Sequence, residues 1–135
     1  MVADILADEA ERRGLLSDGQ FGSRKRQLAI GAAAIMVEKA HAAWTEGSRA
    51  GVLQMDIKTA FPSVWRGRLV HIITGKGIVR DHIRWTADFP SNRTIEMVII
   101  GDIMETRPVE AGIPPGSPVS QILFTICTSG LMESV

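Results

Sequence analysis

The sequence predicts an α+β fold, with helices packed on a small, mainly antiparallel sheet. Three observations carry that expectation. Leu28, Ala32, Ile35, Met36, Ala40 and Ala43 recur at helical spacing. Residues 94–100 and 103–109 flank Gly101 and Asp102, a turn-forming pair, and so read as a β-hairpin. Residues 52–57 form a short apolar run interrupted by Asp56, a pattern that suits a buried strand.

Taken in chain order, residues 4–13 predict a short surface helix in which Ile5, Leu6 and Ala10 are available for packing and Gly14 is the stop. Its acids and bases are expected on a solvated face. Residues 15–27 are irregular and polar, and hold the single dense basic cluster, Arg24, Lys25 and Arg26. The helix over residues 28–45 should be amphipathic, with alanines small enough for close packing against the sheet. After the strand, Ser63 stands where it would cap a helix containing Val64, Leu69, Ile72 and Ile73, which ends at Gly75 and Gly77. A further helix over residues 79–89 is closed by Pro90. In the hairpin, Ile95, Met97 and Ile99 share one face. Gly112, Ile113, Pro114, Pro115, Gly116, Ser117 and Pro118 exclude regular structure, and an apolar helix follows from Val119 almost to the end.

At 135 residues the chain suits one domain or part of one. Its 15 Lys and Arg balance its 15 Asp and Glu, so any grip on phosphate must be local. The one cysteine, Cys127, excludes an intramolecular disulfide or a cysteine-based metal cluster and fits a reducing intracellular compartment, nucleus or cytoplasm. The first 16 residues are too charged for a secretory signal, and no apolar run reaches the roughly 20 residues that span a bilayer. No membrane partner is expected. His41, His71 and His82 lack metal-ligand spacing.

Asp56 needs a partner, because an ionised carboxylate at the end of an apolar strand is costly to bury alone. Two readings fit. It caps the turn through Lys58, Thr59 and Ala60, or it binds a hard divalent cation beside substrate phosphates. One carboxylate does not decide between them.

The phrase Met55, Asp56, Ile57, Lys58, Thr59, Ala60, Phe61, followed by Gly112, Ile113, Pro114, Pro115, Gly116, Ser117, Pro118, Val119, Ser120, Gln121, Ile122, Leu123, Phe124, resembles motifs A and B of reverse transcriptases. The likeness is closest to the LINE-like, non-LTR retrotransposon polymerases of filamentous fungi. It extends through residues 20–26, 84–93 and 109–131, and so covers nearly the whole chain. The resemblance implies a partial right-hand polymerase, with a fingers portion in residues 1–50 and a palm portion in residues 51–135. The implied reaction adds deoxynucleotides from dNTPs to the 3′-OH of a DNA primer on an RNA template, by two-metal phosphoryl transfer with Mg2+. Under it Asp56 is the catalytic metal ligand, helped by the backbone carbonyl of Ile57. Lys58, Thr59, Ala60 and Phe61 face the nucleotide. The first three offer backbone amides to the triphosphate, and Phe61 is either a steric gate against a ribose 2′-OH or a plain core phenylalanine. Arg24, Lys25 and Arg26, with Gly112, Pro114, Pro115, Gly116 and Ser117, contact template and primer. Ser117 or Ser120 caps the last helix.

The chain also departs from the family. Pro115 replaces a glutamine, Gln121 a later proline, and Pro90 an apolar residue that is often leucine. Motif C, with its adjacent aspartates, is missing; no Asp pair occurs, and the one acid after Gly116 is Glu133. The nucleotide-binding arginine of the fingers and the thumb are missing as well. The expectation is a polypeptide that holds Mg2+ poorly and does not polymerise alone, with an uncovered sheet edge prone to aggregation. Two alternatives stay open: a noncatalytic nucleic-acid-binding relic, and an unrelated small α/β module in which Asp56 only fastens a turn.

Overall fold

The computed structural model describes residues 1–100 and 102–132. In chain order the described elements are α1 (Val2–Arg12), α2 (Ala29–Thr45), α3 (Arg66–Gly75), α4 (Arg80–Asp88), β1 (Arg93–Ile99), β2 (Asp102–Val109) and α5 (Pro118–Met132). The chain is therefore mixed α+β, with five helices and one two-stranded antiparallel sheet among the described residues. Gly101, assigned to the hairpin turn, and Glu133 lie outside the described residues.

The core is built by helices on helices. Leu6 and Ala10 of α1, Leu69 and Ile73 of α3, and Ile122, Leu123 and Ile126 of α5 meet in one cluster with Leu15, Leu16, Ile78 and Ile113. The spacing of four within each helix puts these side chains on one stripe. Each buried leucine or isoleucine contributes about 1.5–3 kcal/mol. Gly14, at φ +61°, ends α1 in the left-handed conformation that glycine adopts without strain. The chain then turns back so that Leu15 and Leu16 enter the same cluster. Pro118 opens α5, where its missing N–H leaves no bond unmade.

The sheet does not carry the helices, contrary to the expected packing. β1 and β2 pair only with each other, from Arg93↔Val109 to Ile99↔Asp102, with a bulge between Met97 and Val98. Past Arg93 every residue of β1 is exposed. A ribbon of two strands has two open faces, and among the described residues no helix closes either one.

Three further expectations need correction. Residues 52–57 are not a strand; they are exposed and irregular, and the sheet among the described residues holds only β1 and β2. Helix α2 forms over the expected stretch but buries none of its residues. Its apolar side chains lie on more than one face, with Ile30 and Val37 on one and Ile35 and Met36 on another, so it is not amphipathic. Ser63 does not cap α3. The helix starts at Arg66 with Trp65 in the cap position, and no side chain bonds to its first turn. No helix among the described residues is long and apolar enough to cross a membrane.

Candidate functional site

The turn over residues 58–64 is closed by its own backbone. The Ser63 N–H donates to the Thr59 carbonyl at 2.9 Å, and the Thr59 and Ser63 hydroxyls hydrogen-bond to each other at 2.7 Å. Thr59 takes a positive φ of 52° to make the bend. The exit of this turn is pinned to the proline-glycine loop. The Gly112 N–H donates to the Val64 carbonyl at 2.9 Å, and the Ile113 N–H to the Phe61 carbonyl at 3.0 Å. The Phe61 and Phe124 rings lie 5.3 Å apart, inclined at 59°. Two stretches distant in sequence are thus joined at Phe61–Val64 on one side and Gly112–Ile113 on the other.

This junction requires glycine at position 112. Gly112 is buried at φ +82°, and a Cβ there would sit 2.7 Å from the Pro62 Cα and 2.8 Å from the Pro62 carbonyl oxygen. Beyond it, Pro114 and Ser117 are half-buried, Pro115 and Gly116 are exposed, and Gly116 turns at φ +84°. The Ser117 carbonyl receives the Ser120 N–H at 3.0 Å, so the serine starts α5 through its backbone. Ser120 is buried inside the helix, and its hydroxyl has no partner among the described residues. Phe61 packs at the edge of the core, as a plain core phenylalanine does.

Asp56 stands apart from this junction. It is exposed, in a segment without regular structure, and makes no hydrogen bond or ion pair with any described residue. It does not fasten the turn; the Thr59 and Ser63 hydroxyls do. No group of three or more His, Cys, Asp or Glu able to hold a metal occurs among the described residues. Magnesium needs six oxygens in a near-ideal octahedron, and a two-metal centre needs several carboxylates converging on it. Asp56 and the Ile57 carbonyl in an exposed strip do not meet that demand, so the donors present do not fit the implied pair of ions.

The basic trio is largely neutralised by α1. Arg24 donates from Nε and Nη2 to the two Glu11 carboxylate oxygens at 2.9 and 2.8 Å, and from Nη1 to the Ser17 carbonyl at 2.8 Å. Its side chain is 11% exposed. These bonds, above all the Arg24 hydrogen bond, hold the Glu11 carboxyl below the usual glutamate range. Lys25 pairs with Asp8 at 2.8 Å. Among the described residues Arg26 forms no ion pair and is exposed. Arg24→Gln should lower stability by about 2 kcal/mol, because it unties the loop from α1. Lys25→Gln should leave the denaturation midpoint where it was, and urea titrations of the two variants check both statements.

Two polar anchors had been missed. Glu9, expected on a solvated face, is 2% exposed. It pairs with Arg13 Nε at 3.0 Å, receives the Val79 N–H at 3.0 Å and is bonded to His82 Nδ1. Burial pushes its carboxyl up, but the bonds from His82 and Val79 and the charges of His82 and Arg13 outweigh this and leave it lowered. The available signal was its place on the Leu6 and Ala10 stripe, three residues after Leu6. Gln20 is the second anchor: its side-chain amide donates to the Thr125 carbonyl and to the Thr128 hydroxyl, each at 3.3 Å. That ties the basic loop to α5.

No protein-family model matches this chain, and no curated protein or solved structure matches it either.

Proposed function

We propose that the chain carries motifs A and B of a reverse transcriptase, as part of a right-hand palm with a portion of the fingers, and that alone it does not extend a primer. The observation that supports this reading is the junction of the two motif stretches, made by the Phe61 and Val64 carbonyls and the Gly112 and Ile113 amides. A polymerase palm needs its nucleotide-side turn beside its template-side loop, and an unrelated module has no need to join these two phrases. RNA template, DNA primer and dNTP are the partners of the reaction, and Mg2+ is the cofactor of the complete site. Inactivity follows from the donor set: one exposed carboxylate leaves the metals without the negative charge that holds and positions them.

The test is a chimera. Residues 52–132, with Pro115→Gln to restore the amide side chain, replace the corresponding segment of an active LINE-like reverse transcriptase. Primer extension on an RNA template should survive the exchange and fall to background with Asp56→Ala. A chimera whose extension is indifferent to Asp56→Ala overturns the reading. The purified chain alone should give no extension with Mg2+; extension abolished by Asp56→Ala would overturn its inactivity.

A further inference from the structure

An exposed aromatic ring stands beside unpaired cations at the start of α3. Trp65 is 71% exposed, although a tryptophan ordinarily buries most of its large apolar surface. Its indole lies against the first turn of α3, with ring atoms 3.7 Å from where a Cβ on Gly67 would be. Glycine there leaves the ring room to settle on the helix. Arg66 and Arg68, on either side of that glycine, are exposed, and neither makes an ion pair or hydrogen bond with a described residue. The first turn of α3 contains no acid. Of the cations that the sequence assigned to phosphate, Arg24 and Lys25 are occupied by Glu11 and Asp8, and Arg26 is without an ion pair among the described residues.

We propose that Trp65, Arg66 and Arg68 form a docking surface for single-stranded nucleic acid, the indole stacking on a base and the guanidiniums meeting the flanking phosphates. Charge and shape both select that partner. A flat ring flanked by free cations matches an unpaired base within an anionic backbone, and stacking tolerates any base because each has a π-face. An acidic peptide would use the guanidiniums and leave the ring idle. A duplex would keep its bases from the ring. The surface follows Val64 directly and so adjoins the Gly112 junction. The inference rests on the reading that this chain handles nucleic acid, and it adds a contact outside the two motif stretches.

Fluorescence anisotropy of the full chain with a labelled single-stranded oligouridylate, over a salt series, tests it. Trp65→Ala should weaken binding about tenfold, and Trp65→Phe should recover most of the loss. Arg66→Gln and Arg68→Gln should each flatten the slope of log affinity against log salt by about 0.7. Trp44→Ala, which removes an exposed tryptophan from α2, should change nothing. These positions are at the surface, so the variants keep the fold. Unchanged affinity in Trp65→Ala, an equal loss in Trp44→Ala, or competition by polyglutamate as strong as by RNA overturns the surface and leaves the polymerase reading standing. Failure of the unaltered chain to bind also overturns it, while the polymerase reading is decided by extension in the chimera.

Discussion

Gly112→Ala should be among the most damaging single substitutions in this chain, lowering stability by about 3 kcal/mol or more. Two costs add. A residue with a Cβ loses about 1–2 kcal/mol in the left-handed region where Gly112 sits, at φ +82°. Overpacking adds about 1–3 kcal/mol, and here the obstacle is backbone, with the new carbon 2.7 Å from the Pro62 Cα. Relief would separate the Phe61 and Val64 carbonyls from their amide donors and part the Phe61 and Phe124 rings. Urea denaturation should show a lower midpoint with an unchanged slope. A midpoint equal to that of the unaltered chain would mean that the junction is not as tight as described. Gly116→Ala provides the comparison: Gly116 has a similar φ of +84° but nothing within 4 Å of a Cβ, so it should lose only the conformational share.

Glu9→Ala should cost about 1–3 kcal/mol, chiefly because it removes the buried acceptor of the Val79 N–H and of its charged partners. The Val79 N–H, His82 and Arg13 would all lose the same acceptor, and α1 would lose its polar attachment to the start of α4. Glu9→Gln keeps the shape and isolates the charge. Because the folded state holds the Glu9 carboxyl below its ordinary value, the unfolded chain binds the proton more readily. The contribution of Glu9 is therefore complete above the ordinary glutamate value of about 4.3 and is lost as pH falls through the lower folded value. The stability gap between the unaltered chain and Glu9→Gln should accordingly narrow as pH falls below about 4. Chemical denaturation across that range measures it, and a gap that stays constant into acid removes the assigned role of the charge.

Local pattern was a good guide to the elements whose partners are close in sequence. Leu6 and Ala10 with Gly14, Leu69 with Ile73, and the paired runs around residue 101 each signal an element through their own spacing, and each element formed within a few residues of the expected place. The stretch over residues 52–57 shows where this fails. Its composition suits a strand, but a strand exists only where a second strand pairs with it, and β1 and β2 pair only with each other. Ser63 had the right chemistry for a cap, yet its hydroxyl found Thr59 first. At the candidate site the two motif phrases were legible as phrases, and their junction depends on Gly112, which the sequence placed in a stretch that excludes regular structure. The neutralisation of Arg24 and Lys25 was not legible, because it depends on which face of α1 meets the loop. A basic cluster reads the same whether its counter-charges come from phosphates or from Glu11 and Asp8.

Helix α2 gives the molecule two tiers of cohesion. A helix of 17 residues with none of them fully buried depends mainly on its own backbone bonds and its alanine content, which at that length gives only marginal stability in water. Its amide protons should therefore exchange with solvent through local melting, at a free energy well below that of breaking the Leu6, Ile73 and Leu123 cluster. The loss of that one rod would leave the rest of the chain standing.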